Sequence, residues 1–498
     1  MKPKILLYFP TPFPYHRPWK GVPLAHLAIS RYLTKNYQVK IFAHHLQKNH
    51  QKQILKQGRS AVCLGISAMT GFQIYDGLKI AKIFKKKYPH IPIIWGDWHP
   101  SILPHQTLEN PYVDYVLVGQ SDETFPQLVK KLTQNKPPKN KIIHPRKPTD
   151  LVKAPPLPYH LINLEKCINN TEYGQRTVPY ISSYGCPFRC AFCVEQIVNH
   201  RHWTATPAKT VITEWTNLVK KHQADSIAVY DSNFFVDEKR VADICTGIIK
   251  NKLNIHWGNA NGRVNTLCNY SPKTWRLMKQ SGCAMILTGA ESGSQAALDF
   301  IKKDINIPQI LKFTHLCKKY KIKILFSFLV GLPWSTNPNK NKNLVNQEYR
   351  ATFTLIDQLL KINQNNRFTY YVFLPYPGAP LFKKAQKLGL KHPQTLKDWS
   401  TYLMSPEDAF KETLKQRWLT KKQARLTAML TQYIFGLMDL DSYQILKNRI
   451  RHPLLHLLFT ISYQFGLGLV KLRWKYKYFD LPVDYWIFSL VHKYGQLL

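Results

Sequence analysis

Ser183-Tyr184-Gly185-Cys186-Pro187-Phe188-Arg189-Cys190-Ala191-Phe192-Cys193 places three thiols within eight residues, spaced C-x3-C-x2-C, on a loop that leaves an apolar strand and enters a helix. Three thiolates can hold three corners of a cubane iron–sulfur cluster. With no fourth cysteine in the run, one iron is left open to another ligand, unlike the four-cysteine ferredoxin pattern. An open iron implies chemistry at that iron. Two plainer readings stand beside it: zinc, for which His200 or His202 would have to complete a spacing unlike the known fingers, and cysteines that are simply buried.

Outward from this loop, residues 178–183, 226–230, 255–259, 285–288, 322–329 and 368–374 read as six strands alternating with helical patterns. That alternation predicts a partial parallel (βα)6 barrel over residues 178–390, with chemistry at the carboxyl ends of its strands. Upstream, apolar runs at 5–9, 39–43, 62–67, 91–95 and 115–118 alternate with helical patterns at 24–33, 74–87 and 125–132. This is the pattern of a doubly wound, Rossmann-like α/β domain over residues 1–140, whose ligands sit at strand carboxyl ends. Between them, residues 141–177 are assigned to a linker, introduced by the Lys- and Pro-rich stretch 136–158, which reads as lacking regular structure. Residues 391–498 lose the strand alternation and read as a helical, basic and aromatic region.

A chain of 498 residues exceeds one compact core, and 44% hydrophobic residues exclude a disordered chain. Lys and Arg number 70 against 29 acidic residues, a formal charge of +41, so an anionic partner is expected. The lysines are spread along the chain, so charge alone does not choose among nucleic acid, an anionic membrane surface and an acidic cofactor; nucleic acid is not the expected partner. Nine cysteines, an odd number in a large chain, do not form a disulfide framework and predict a reducing, cytoplasmic setting. The apolar run before Pro10 is too short for an export signal. Residues 453–470 carry no formal charge and are flanked by Lys447, Arg449 and Arg451 and by Lys471, Arg473, Lys475 and Lys477. With His456, Gln464 and two glycines inside, this run reads as an interfacial helix on the inner face of the cell membrane, the alternative being a buried core helix. Tyr476, Tyr478, Phe479, Tyr485 and Trp486 suit an aromatic belt.

The cysteine loop, with Phe192 before its last thiol, resembles the radical S-adenosylmethionine superfamily. The resemblance continues through Tyr230-Asp231-Ser232-Asn233-Phe234-Phe235, Arg263, Gly289-Ala290-Glu291-Ser292-Gly293, Val330-Gly331-Leu332-Pro333 and Pro375-Tyr376-Pro377-Gly378-Ala379-Pro380, covering residues 178–390. It implies a 4Fe-4S cluster on Cys186, Cys190 and Cys193, and S-adenosylmethionine bound at the open iron and held by Phe192, Asp231, Arg263, Gly289 and Glu291. Chemically, Asp231 and Glu291 are strand-end carboxylates that can accept from an ammonium or ribose hydroxyls, or merely cap a helix. Arg263 can hold a carboxylate or close an ion pair. No catalytic side chain beyond the cluster ligands is assigned. Cys283 and Cys317 read as packing residues.

The amino-terminal loops, among them Gly21-Val22-Pro23-Leu24-Ala25-His26-Leu27, resemble those of cobalamin-binding domains that precede such barrels. The resemblance implies cobalamin beside Ser67, Met69, Thr70, Gly71, Gly96, His99 and Gly119. One departure is evident: residues 9–13 contain no His to bind cobalt after the first strand, and Asp97-Trp98-His99 follows the fourth strand instead. No protein ligand to cobalt is therefore expected, and a domain that kept its fold without the cofactor is the alternative. The domain of methylthiotransferases would bring its own cysteine trio, and only Cys63 lies here. The combined resemblance implies a cobalamin-dependent radical C-methyltransferase acting on an unactivated carbon of a small or lipid-like substrate, served by an electron donor such as flavodoxin or ferredoxin. An oxidative cyclase and a non-catalytic cobalamin or cluster sensor are the other readings.

Overall fold

The computed structural model describes residues 2–15, 19–402, 416, 418–439, 443, 447, 450, 452–481 and 483–488. Its first layer is a parallel sheet of β1 (Lys4–Phe9), β2 (Gln38–Ala43), β3 (Ala61–Ser67), β4 (Ile93–Gly96), β5 (Tyr115–Leu117) and β6 (Ile142–Ile143), in the order β2-β1-β3-β4-β5-β6. The strands are apolar on both sides because both faces are covered. Ile5 and Leu7 pack with Leu27, Phe125 and Leu128 on one face, while Leu6 and Tyr8 pack with Ile80 and Phe84 on the other. The strand order reverses between β1 and β3, which opens a crevice at the carboxyl ends there. β6 departs from the expected unstructured stretch: Ile142 and Ile143 pair with Val116 and Leu117, so two apolar residues inside a Lys- and Pro-rich segment seal the sheet edge.

The second layer is the open barrel. A hairpin of β7 (Asn169–Thr171) and β8 (Gly174–Tyr180) leads to the short antiparallel pair β9 (Ser183–Tyr184) and β10 (Thr204–Ala205), then to β11 (Ser226–Val229), β12 (His256–Gly258), β13 (Ala260–Asn261), β14 (Met285–Glu291), β15 (Lys323–Val330) and β16 (Arg367–Val372). β8, β11 and β12 pair in parallel, as do β13 to β16, and a parallel bridge from Trp257 to Cys283 joins the two sets. β12 and β13 are two halves of one barrel strand, divided at Asn259, whose φ is 57°. The cysteines outside the thiol loop, including Cys283 and Cys317, are buried, as packing residues should be. Arg31, Asp122 and Tyr184 form a buried junction between the two layers: Arg31 Nη2 donates to Tyr184 Oη at 3.3 Å, and Tyr184 donates to Asp122 Oδ1 at 3.3 Å.

The carboxyl-terminal region is helical where described, with helices at Lys421–Met429, Phe435–Met438 and Pro453–Tyr476; Arg449 and Arg451 lie outside the described residues. Trp399 reaches back to the first layer, where its indole N–H donates to Gln106 Oε1 at 2.6 Å.

Glu348, on the helix Pro338–Ile362, is fully buried; it accepts from Trp334 Nε1 at 3.1 Å through Oε2 and has no partner at Oε1. Burial pushes its carboxyl up to about 8 from the ordinary 4.5. The folded chain therefore holds a proton that the unfolded chain releases between those values. The associated stability is complete below pH 4.5 and is lost as pH rises towards 8, at up to about 1.4 kcal/mol per pH unit. Glu348→Gln should flatten this dependence, and denaturation midpoints measured across that range check it.

Candidate active site

The thiol loop is set by backbone constraints on either side. Gly185 has φ +80°, and a Cβ there would meet the His202 carbonyl oxygen at 1.9 Å, so only glycine allows the chain to turn into the loop. Ala191 N donates to the Ile301 carbonyl at 2.7 Å, Leu381 N donates to the Ala191 carbonyl at 3.1 Å, and Gln196 Nε2 donates to the Cys190 carbonyl at 2.8 Å. The loop is thereby tied to segments that follow β14 and β16. Arg263, at the end of β13, donates through Nη1 to Cys190 Sγ at 3.1 Å and stacks over the Phe188 ring at 3.9 Å. Asn233 Nδ2 lies 3.8 Å from Cys186 Sγ.

Burial raises the Cys186 thiol and pushes the Cys193 thiol up to about 12. Bound iron would reverse this, because its positive charge stabilises thiolate. Among the described residues no three His, Cys, Asp or Glu side chains converge tightly enough for a single ion. In a cubane the three anchoring sulfurs bind three different irons. Arg263 Nη2 is buried without a partner beside Cys190, the kind of donor an anionic group at the open corner would satisfy.

The residues expected around S-adenosylmethionine divide into two groups. Arg263 contacts Cys190 of the thiol loop, and Glu291 pairs with Lys303, which lies near the same thiol. Glu291 ends β14 with φ 61°, after a register break that follows Gly289, and its Oε1 pairs with Lys303 Nζ at 2.7 Å. Burial opposes charge on Lys303, yet Glu291 and the nearby Cys190 hold its ammonium pKa above the ordinary value. Lys303 carries no motif signal and was missed by sequence reasoning. Gly289 has a different role from the one expected: a Cβ there would lie 1.9 Å from Glu291 Oε1 and 2.6 Å from Lys303 Nζ, so it makes room for the ion pair. Asp231 is also reassigned. It is fully buried, its oxygens accept from Ser182 N, Ser182 Oγ and Ser183 Oγ, each at 2.6 Å, and it ties the ends of β8 and β11 together. Phe192 is half-buried against the apolar cluster containing Leu332, Phe373 and Leu381.

Between the crevice of the first layer and the mouth of the barrel lies a cavity of about 260 Å³. Ser67, Gly96 and Gly119 are in its wall with His26 and Trp98; Tyr184, Glu195, Tyr230 and Ser232 close it from the barrel side. Ser67 Oγ and His26 Nδ1 are buried there without partners, and burial pushes His26 down to about 4, so its imidazole is neutral near pH 7. Those orphaned groups and the small residues opposite them fit a polar ligand. At this volume, below the ~300–1,000 Å³ of ordinary ligand pockets, the cavity would enclose only part of a cobalamin.

Four expected cobalamin neighbours stand outside this wall. His99 Nδ1 is 3.0 Å from Thr70 Oγ1 and its ring packs on Trp399 at 5.5 Å, so both side chains lie behind the loop. Met69 is 41% exposed, and Gly71, with φ 106°, starts the helix Phe72–Lys87. Sequence reasoning also missed Glu195 and Tyr230 as cavity residues; Glu195, two positions past Cys193, had position as its only signal.

A doubly wound domain whose switch-point crevice faces the thiol-bearing mouth of an open parallel barrel defines a two-domain class of iron–sulfur enzyme. Residues 18–129 match the B12 binding domain and residues 180–337 match the radical SAM superfamily. The chain therefore carries a B12-binding domain followed by a radical SAM domain. An uncharacterized methyltransferase of Pyrococcus horikoshii is 28% identical over 385 residues, 73% of this chain and 78% of that protein. The anaerobic magnesium-protoporphyrin IX monomethyl ester cyclase of Rubrivivax gelatinosus is 25% identical over 66% of this chain and 58% of its own length. The solved structure of the cobalamin-dependent S-adenosylmethionine radical enzyme OxsB, with aqua-cobalamin and S-adenosylmethionine bound, aligns over 99% of this chain and 75% of that one with a TM-score of 0.69. At 16% identity that likeness concerns the fold.

Proposed function

We propose that this chain is a cobalamin-dependent radical C-methyltransferase that acts in the cytoplasm on an unactivated carbon of a small or lipid-like molecule. The observation that carries the reading is the shared cavity, with unpartnered Ser67 and His26 on its B12-domain wall and Glu195, next to the thiol loop, on its barrel wall. When bound, the cluster and S-adenosylmethionine supply a 5′-deoxyadenosyl radical that abstracts hydrogen, and cobalamin supplies the methyl group. The residues of the chain hold and orient these groups. Cys186, Cys190 and Cys193 anchor the cluster, while Arg263 and the Glu291–Lys303 pair present charge at its edge for the amino and carboxylate groups of the cosubstrate. Phe192 and its apolar neighbours keep water from that edge, which matters because a stray radical reacts with whatever it meets. An electron donor such as flavodoxin or ferredoxin, both acidic proteins, would complement the +41 charge.

The Rubrivivax relative favours one second reading, oxidative cyclisation on the same two domains. The test is anaerobic reconstitution with iron, sulfide, cobalamin, S-adenosylmethionine and a reductant, followed by measurement of 5′-deoxyadenosine and S-adenosylhomocysteine together. Both products, the second dependent on cobalamin, are the expected result. Deoxyadenosine alone points to the cyclase, and neither product from a chain with an intact cluster would return the sensor reading.

A further inference from the structure

We propose that the helix Pro453–Tyr476 seats this protein on the surface of an anionic lipid bilayer, with its first ten residues lying in the boundary between headgroups and acyl chains. One stripe of this helix is committed to the protein. Tyr463, Leu467, Val470 and Trp474, spaced by four, three and four residues, are buried against the body, where Tyr463 donates to the Leu437 carbonyl at 2.5 Å and Trp474 Nε1 to Asp357 Oδ1 at 2.8 Å. A helix held this way on a water-facing surface should be polar on the remaining sides. This one is apolar there instead: Leu454, Leu455, Leu457, Leu458, Ile461 and Phe465 are between 51 and 70% exposed. Only 17% of its apolar 18-residue window, whose mean hydropathy is 1.4, is buried. A contiguous apolar patch of this kind marks an interaction surface.

Charge selects the occupant. The helix contains no acidic residue, Lys471 and Lys475 are exposed on its last turns, and the chain carries +41 overall. A second copy would bring the same positive field and be repelled, whereas an anionic leaflet is attracted. Beyond the helix, Tyr478, Leu481, Trp486 and Ile487 are each at least 50% exposed, which adds aromatic groups suited to the headgroup level.

Geometry limits the depth. Because the buried stripe begins at Tyr463, only residues 453–462 are free to enter lipid. Ten residues of helix reach about 15 Å, half of the ~30 Å hydrocarbon core, so the helix enters one leaflet and does not span. Its contacts with Asp357 and with Leu437, whose neighbour Asp439 pairs with Arg367 at the start of β16, place it at the end of the barrel away from the thiol loop. The helix is therefore an anchor for the protein, and the proposal stands whichever reaction the cavity performs.

Flotation of the full chain with vesicles of phosphatidylcholine, alone or with about one third phosphatidylglycerol, tests this. Binding to the anionic vesicles should exceed binding to the neutral ones by about tenfold and fall in high salt. Leu457→Glu/Leu458→Glu/Ile461→Glu, which changes only exposed side chains and should leave the circular dichroism spectrum unchanged, should reduce it by about tenfold or more. Lys471→Glu/Lys475→Glu should remove mainly the preference for anionic lipid. A wild-type chain that stays soluble with both vesicle types overturns the proposal, as does a sedimentation-detected dimer abolished by the same triple substitution.

Discussion

Cys190→Ala is expected to eliminate 5′-deoxyadenosine production and to leave the reconstituted protein short of iron. Cys190 is the thiol on which the charged surroundings converge: Arg263 Nη1 donates to its sulfur at 3.1 Å, and Lys303 lies nearby. Removing it leaves two anchors for a cluster that needs three, and leaves the buried Arg263 with Asn265 Oδ1, 3.4 Å from its Nε, as its remaining side-chain acceptor. Arg263→Ala should act more mildly. It keeps all three thiols but removes the hydrogen bond that orients one of them, a change of the kind that weakens metal retention about 10–100-fold. Iron content and the visible absorption of the anaerobic protein, measured for both variants beside wild type, check the order. A Cys190→Ala protein with full iron and undiminished deoxyadenosine would refute the assignment of the loop.

Lys303→Met should cost about 3–5 kcal/mol of stability, because it strands the buried Glu291 carboxylate that Lys303 meets at 2.7 Å. Lys303→Met combined with Glu291→Leu should recover much of that loss, since it removes both charges together. The pH dependence has a definite sign. The ammonium is held above its ordinary value of 10.5 in the folded chain, so its contribution is complete through neutral pH and is lost only at strongly alkaline pH. Denaturant unfolding of the two variants and wild type at neutral pH measures the effect. A single variant as stable as wild type would mean that the pair is not energetically coupled.

The cysteine loop and the two alternating strand–helix series were legible because local spacing carries them. C-x3-C-x2-C needs no partner elsewhere in the chain to declare itself, and strands covered on both faces show as apolar runs whatever they pack against. Residues assigned from strand-end motifs fared differently. Arg263 contacts Cys190 and Glu291 pairs with Lys303, whereas Asp231, a carboxylate of the same kind in the same kind of position, is taken up by Ser182 and Ser183. A one-residue difference in register decides which side of a strand a group occupies, and side-chain type alone does not encode it. Gly289, expected beside S-adenosylmethionine, closely approaches the Glu291–Lys303 pair.

By itself, then, the sequence determined the three thiols, the order of the two α/β units and the apolar, charge-free run near the carboxyl terminus, all of which depend on neighbours a few positions apart. Only the tertiary structure decided that Lys303 neutralises Glu291, that His26, Ser67, Glu195 and Tyr230 share a cavity, that His99 and Thr70 turn away from it towards Trp399, and that the Pro453–Tyr476 helix buries one stripe and exposes the rest. These pairings join residues up to several hundred positions apart, and which groups meet is settled by how the sheets close and stack, a property of the whole chain that no local pattern carries.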